Sequence, residues 1–220
     1  MDYSIWIYLI LTAAVVLLAG FVNLPAARAC GHCSRISPWT GKETRMRTGV
    51  TRVQMKNRIL AAAVFLLLFG VSACRIAVGN DYWVYRSDFL LIEQGRHTSF
   101  EFGFIWVVRF LQSLLQHDQY LPIFAFFAFF TVLFFVRGMY EQSEWFGYSV
   151  FLLMTAGYYF SSLNSIRYYL VLSIALYSMK YVLNGDWFRF CLWILFAACF
   201  HKSVLVVIPL YFLASKKKKK

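Results

Sequence analysis

Two short polar segments hold the residues whose chemistry stands out. One is Ser161-Ser162-Leu163-Asn164-Ser165-Ile166-Arg167, the other Phe200-His201-Lys202-Ser203. Each interrupts an apolar run with membrane-spanning character. Charge in that setting is costly and usually faces a protein-lined or wet cavity, so it marks a site. Asn164 and Arg167 are three apart and share a helix face, which Ser161 extends by one turn. Two roles suit Arg167: a planar fork for phosphate oxygens, or an anchor at the lipid headgroups. A lysine at a helix centre costs about 2.5–3.5 kcal/mol on the insertion scale. At Lys202, therefore, either the helix breaks or the side chain meets water. His201 can exchange a proton near neutral pH, or it can tie two helices by a hydrogen bond.

Asp81, followed by Tyr82 and Tyr85, is a candidate base or sugar-hydroxyl acceptor, although such an acid is more often solvated in a loop. Glu101, ahead of Gly103, is the second candidate carboxylate. Two carboxylates flanking a glycosidic bond are a known device for cleaving it. Arg75 sits near the far end of an apolar run, where it can snorkel or point inward at a ligand.

The elements that must position these groups are apolar. Of 220 residues, 60% are hydrophobic, 20% aromatic and only 15% charged. Such a composition, in long blocks, indicates a polytopic membrane protein. The expected fold is all-α, a transmembrane helical bundle of about six spans plus one amphipathic or re-entrant helix. The spans are read at 4–22, 59–78, 120–136, 146–163, 168–183 and 189–214. Four regions follow: a first transmembrane helix at 1–24, a basic cytoplasmic loop at 25–58, the main membrane region at 59–214, and a poly-Lys tail at 215–220. The first helix lacks the basic n-region of a secretory signal and is read as retained.

Residues 79–99 read as an extracytoplasmic loop with interfacial aromatics. Residues 100–116 are amphipathic: Glu101, Arg109, Gln112 and Gln116 fall within about 80° of each other on a helix. If that helix lies in the outer interface, Arg167 faces outside together with Asp81; if it spans, Arg167 faces inside. The polar stripe and Arg137 favour the first topology, the terminal lysines the second; the first is adopted here.

The net charge of +12 comes largely from eight basic residues between Arg28 and Arg58 and the run Lys216 to Lys220. This is a loop-charge pattern that orients a membrane protein. No basic stripe interleaved with aromatics suggests nucleic acid. Cys74, Cys191 and Cys199 sit in apolar runs as small buried residues. Cys30-Gly31-His32-Cys33 has the spacing of a redox pair but lacks the compact domain that would tune it. It also lacks the usual four zinc ligands, so it is read as an incidental pair. No phosphate-binding loop, dinucleotide fingerprint or H-E-x-x-H motif occurs, and neither a metal nor another cofactor is expected.

Three segments together resemble the EpsG family, Wzy-like membrane proteins of bacterial exopolysaccharide assembly. Gly79-Asn80-Asp81-Tyr82-x-x-Tyr85 is similar to that family's G-x-D-x-x-x-Y segment. Ser162-Leu163-Asn164-Ser165-Ile166-Arg167 resembles S-x-N-x-I-R-Q, although Tyr168 stands in place of Gln. Phe200-His201-Lys202-Ser203, with Pro209-Leu210-Tyr211, resembles F-H-x-S…P-x-Y, and Tyr181-Val182-Leu183-Asn184-Gly185 fits between them. The resemblance covers residues 59–214. Family members carry further helices beyond the F-H-x-S segment, so the expectation is a C-terminally truncated chain.

The resemblance implies a multi-pass protein of the bacterial cytoplasmic membrane that polymerises polyprenyl-diphosphate-linked oligosaccharide. Its partners would be that substrate, membrane lipids and other polysaccharide assembly proteins. Arg167 would hold the diphosphate, with Arg75 or Arg86 assisting, and Asp81 or His201 would be the base. Asn164, Tyr82, Tyr85, Lys202 and Ser203 would complete the substrate site. The alternatives are a non-catalytic transporter, flippase-like or scaffold subunit of a polysaccharide assembly complex, or an inactive truncated remnant.

Overall fold

The computed structural model describes residues 3–24, 33–36, 43–46, 51–76, 78–79, 81–96, 98–115 and 120–209. Cys30, Asn80, Gln116, and the chain from Leu210 through the lysine run lie outside the described residues. Nine α-helices are present among the described residues: α1 Tyr3–Gly20, α2 Arg52–Ala73, α3 Asp81–Glu93, α4 Phe102–Leu114, α5 Leu121–Gln142, α6 Phe146–Thr155, α7 Tyr158–Ser162, α8 Ile166–Asn184 and α9 Trp187–Ala198. The short 3-10 turn Lys202–Val206 follows α9. Within the basic segment, β1 Cys33–Ile36 and β2 Glu43–Met46 pair antiparallel, the exception to helix among the described regular elements.

α2 and α5, 22 residues each, are long and apolar enough to cross a membrane; at 1.5 Å per residue each reaches about 33 Å. Parts of α1, together with α4, α6 and α9, are shorter apolar helices. α2 begins seven residues before the expected span. A capping box explains the early start: the Thr51 side chain accepts from the Gln54 N–H, and the Gln54 side chain accepts from the Thr51 N–H. α2 also stops at Ala73, so Arg75 lies beyond its end rather than on a helical face.

Four further expectations are corrected. The cysteines read as buried are not: Cys74 and Cys199 are exposed and Cys191 is half-buried. The segment read as a loop at 79–99 contains α3, a 13-residue helix whose Tyr85, Phe89 and Ile92 are buried on one stripe. The span read as continuous at 146–163 breaks between α6 and α7 at Gly157, whose φ of 79° suits glycine. The run at 189–214 breaks after Ala198, and the polar segment His201-Lys202 occupies the break. Of the two options for a lysine there, the helix break is the one adopted.

Two apolar cores meet along α5. One gathers α3, α4, the first half of α5, α8 and α9 around Phe89, Phe104, Phe124 and Phe127. The other gathers α1, α2, the second half of α5, α6 and α7 around Val15, Leu68, Phe146 and Tyr159. α5 packs most extensively on α8 and next on α2. Phe65 and Phe69 of α2 pack edge-on to Phe129, while Arg75, farther along, lies over Phe124; α2 and α5 are therefore antiparallel. The Lys180–Glu141 ion pair at 2.7 Å likewise brings the end of α8 to the end of α5, with Arg167 at the opposite pole.

At the pole away from Arg167, Asn57 of α2 is buried and exchanges hydrogen bonds with Asn23. Its amide donates to the Asn23 carbonyl at 2.7 Å and its carbonyl accepts the Asn23 N–H at 3.2 Å. Gly147 packs against Gly20 here, where an added Cβ would lie 3.0 Å from the Gly20 Cα. The basic first turn of α2 belongs to this pole.

Candidate functional site

Loop residues and helix ends converge at the other pole. Glu101 precedes α4, Arg167 lies in the first turn of α8, and His201 follows α9. Arg167 Nη1 donates to Glu101 Oε2 at 2.6 Å. The Lys202 main-chain N–H donates to Glu101 Oε1 at 3.3 Å. His201 Nδ1 stands 3.2 Å from the same oxygen but is angled away from a hydrogen bond. The His201 ring also meets Tyr168 edge-on at 6.3 Å. One carboxylate thus gathers a guanidinium, an imidazole and a main-chain donor.

Burial alone would raise the carboxyl pKa of Glu101. Its own main-chain N–H, the Lys202 N–H, and the charges of Arg167 and His201 outweigh burial and hold it below the usual carboxylate range. Glu101 is therefore anionic at neutral pH. The Arg167 and Glu101 side chains are 18% and 15% exposed, so solvent and ligands can still reach the pair.

Aromatic rings set the guanidinium plane. Arg167 Cζ lies 3.9 Å from the Phe100 ring centroid and 5.5 Å from that of Phe104. Nε of Arg167 has no hydrogen-bond partner among the described residues. The rings of Tyr85, Phe100 and Phe104 form one cluster beneath it.

The family-like segments interlock around Asn164. Asn164 Oδ1 accepts the Asp81 main-chain N–H at 3.1 Å, and the Ser165 hydroxyl donates to Asp81 Oδ2 at 2.9 Å. Gly79 has φ of 87°, and a Cβ there would sit 2.7 Å from Asn164 Oδ1. Only glycine fits both constraints.

Arg75 is 4% exposed. Its Nη1 donates to the main-chain carbonyls of Leu163 and of Ser162, the latter at 3.4 Å. Its plane lies over Phe124, with Cζ 4.9 Å from the ring centroid, and Tyr82 stacks on the same ring at 4.9 Å. Nε and Nη2 of Arg75 have no partner among the described residues. Arg75 therefore braces the turn that carries Asn164 and Ser165.

Most of the sequence-derived site residues come together here: Arg167, His201, Asp81, Asn164, Arg75, Tyr82 and Tyr85. Three do not contribute side chains to the cluster. Arg86 is exposed, 5.6 Å from the rings of Trp83 and Tyr120, because it follows Tyr85 and so faces away. Lys202 contributes its main-chain N–H while its side chain is exposed, and Ser203 is exposed as well.

Two acids gain importance from the structure. Glu101 is the hub, though as a second candidate carboxylate it carried no assigned partner. Asp88 falls on the α3 face of Asp81 and Tyr85, seven and three residues along from them, spacings that the sequence displays. Partial burial raises its carboxyl pKa, and Arg167 opposes that rise. No group of three or more His, Cys, Asp or Glu residues that could hold a metal occurs among the described residues.

No curated protein and no solved structure matches the chain. A family model does, over residues 58–220, which includes every residue of the cluster. That span is most of the chain, and its apolar helices agree with a membrane setting: this protein belongs to the EpsG family.

Proposed function

We propose that the chain is a multi-pass component of bacterial exopolysaccharide assembly that acts on polyprenyl-diphosphate-linked glycan at the outer face of the cytoplasmic membrane. The observation that carries this reading is the Glu101–Arg167–His201 cluster at the pole opposite the basic segment. Loops rich in Lys and Arg stay cytoplasmic. Arg137, Lys180 and Arg189 lie toward the basic pole, so the cluster falls outside. On this reading α3 and α4 lie at the outer side without crossing, and α1, α2, α5, α6 with α7, α8 and α9 make six crossings, of which α2 and α5 have the length and apolarity to span unaided.

Polymerisation transfers the growing glycan from its lipid diphosphate to a hydroxyl of a second repeat unit. The hydroxyl oxygen bonds to the anomeric carbon, the bond from that carbon to the phosphate oxygen breaks, and the hydroxyl proton passes to a base. Arg167 would take the charge that develops on the leaving diphosphate. Glu101 now occupies the guanidinium as a stand-in for a phosphate oxygen. Once the diphosphate replaces it, Glu101 remains beside His201 and can stabilise an imidazolium, which makes His201 the better base. Asp81, held by Ser165 and the turn at Asn164, would bind a sugar hydroxyl.

The test is elongation of lipid-linked repeat units by the protein in vesicles. Loss of elongation in Arg167→Ala with the fold intact is expected; translocation without elongation in the wild type would replace polymerisation with a transport role. Labelling of Ser165→Cys by an external, membrane-impermeant reagent is expected, and its protection would invert the topology.

A further inference from the structure

One aromatic residue borders the polar cluster without a part in the chemistry above. Tyr168 follows Arg167 in the first turn of α8 and is 48% exposed, whereas Ile166 and Leu170 of the same helix are buried. Its ring meets that of His201 at 6.3 Å with the planes 76° apart, and that of Tyr169 at 5.2 Å with the planes 81° apart. These two near-perpendicular contacts hold the plane of the ring, and its exposure leaves apolar ring surface open beside the imidazole. The segment that this stretch resembles carries Gln at that place, so the ring is a feature of this chain. His201 is oriented as well. Its Nδ1 stands 3.2 Å from Glu101, so Nε2, on the other ring edge, is the nitrogen left for an incoming hydroxyl. Lys202 and Ser203, next in the chain, are exposed, which opens this side of the cluster to water.

We infer that Tyr168 is the platform on which the acceptor sugar ring lies, with one of its hydroxyls directed at Nε2 of His201. The inference rests on the reading of His201 as the base in glycan transfer. A pyranose is polar around its rim and apolar on its faces, where its axial C–H bonds point. An aromatic ring takes such a face through dispersion and contact of C–H with the π-cloud. Glutamine offers hydrogen bonds but no such face, so tyrosine at this place selects the shape of the sugar ring rather than the pattern of its rim hydroxyls. The ligand class is therefore a pyranose with one open C–H face; an open-chain polyol carrying the same hydroxyls has no face to stack. Tyrosines at a membrane rim also anchor at the headgroups. Contact with His201, itself beside Glu101, sets this ring on the cluster instead.

Saturation-transfer difference NMR tests the platform without turnover. The full chain is held in nanodiscs of deuterated phosphatidylcholine and its aromatic protons are saturated. The probes are methyl β-galactopyranoside, methyl β-glucopyranoside and open-chain glucitol. Transfer to the ring C–H protons of a pyranoside, and not to glucitol, is expected in the wild type. Tyr168→Gln should weaken pyranoside binding about tenfold, the loss of roughly one apolar contact face. Tyr168→Phe and Tyr168→Trp, which keep a face, should retain it. In elongation of lipid-linked repeat units, Tyr168→Gln should raise KM about tenfold with kcat within about threefold of wild type, and Tyr168→Trp should restore KM. The half-exposed ring makes Tm insensitive to all three changes.

Transfer that Tyr168→Gln leaves unaltered, or that glucitol receives as strongly as the pyranosides, would overturn the platform and leave the chemistry of Glu101, Arg167 and His201 standing. An unaltered KM in Tyr168→Gln would do the same and make the ring a headgroup anchor. A fall in kcat and Tm at unchanged KM would reduce Tyr168 to a support for His201 and also sink the inference. Absent elongation in the wild type, with transfer that still depends on Tyr168, would remove the polymerisation reading and leave a sugar-binding platform.

Discussion

Glu101→Gln separates the two roles given to that carboxylate. The change preserves shape but removes the charge that pairs with Arg167 at 2.6 Å and approaches His201 at 3.2 Å. Both partners of the arginine pair are mostly shielded from solvent, so the interaction falls between a surface ion pair and a fully buried one. A hydrogen bond to a charged group contributes about 1.5–3 kcal/mol. The variant should therefore lose about 2 kcal/mol of stability, a fall in Tm of roughly 4–8 °C. Ligand binding should move the opposite way. A diphosphate must displace Glu101 from Arg167, and removing that competitor should tighten diphosphate binding by about tenfold to a hundredfold. Turnover should fall by about 10²–10⁴, because His201 loses the anion that stabilises its protonated form. The assay pairs titration of geranylgeranyl diphosphate with elongation of lipid-linked repeat units. Glu101→Gln that binds diphosphate no better than wild type, with Arg167→Gln also unchanged, would refute the view that Glu101 stands in for the ligand.

Glu101 also makes stability depend on pH. Its folded pKa is depressed, so its contribution is present above about pH 4.3, the ordinary glutamate value, and is lost as pH falls through the lower folded value. The Tm gap between wild type and Glu101→Gln should therefore close under acid. Arg167→Lys keeps the charge but loses the planar face over Phe100, and should weaken diphosphate binding by about tenfold; unchanged binding would show that charge alone suffices. Gly79→Ala should cost about 1–3 kcal/mol in thermal unfolding, since an L-residue is strained at φ of 87° and its Cβ would strike Asn164. Tyr159→Phe removes a 2.8 Å hydrogen bond to the Leu68 carbonyl and the acceptor of the Ser72 hydroxyl. It should cost about 1–3 kcal/mol without altering diphosphate affinity.

Several elements are legible because their causes are local. α5 is a dense apolar run, and Gly185 ends α8 with φ of 76°, as its position after the apolar stretch suggests. α3 is hidden by charge. Asp81, Arg86, Asp88 and Glu93 make the segment look like a loop, while its stripe of Tyr85, Phe89 and Ile92 is only one face wide. The break at His201-Lys202 follows from the cost of a lysine in lipid, but the sequence leaves a wet cavity as an equal alternative until α9 is seen to end at Ala198.

The sequence by itself determined that this is an apolar helical chain with a polar, basic-flanked pattern, and which residues could bind an anion or move a proton. Those are properties of single side chains and short spacings. The tertiary structure alone decided that Glu101 is the hub. It lies 66 residues from Arg167 and 101 from Lys202, so no local pattern links them. The link exists because Gly103, lacking a Cβ, lets the start of α4 close on the end of α9. That approach sets one carboxylate between a guanidinium and an imidazole.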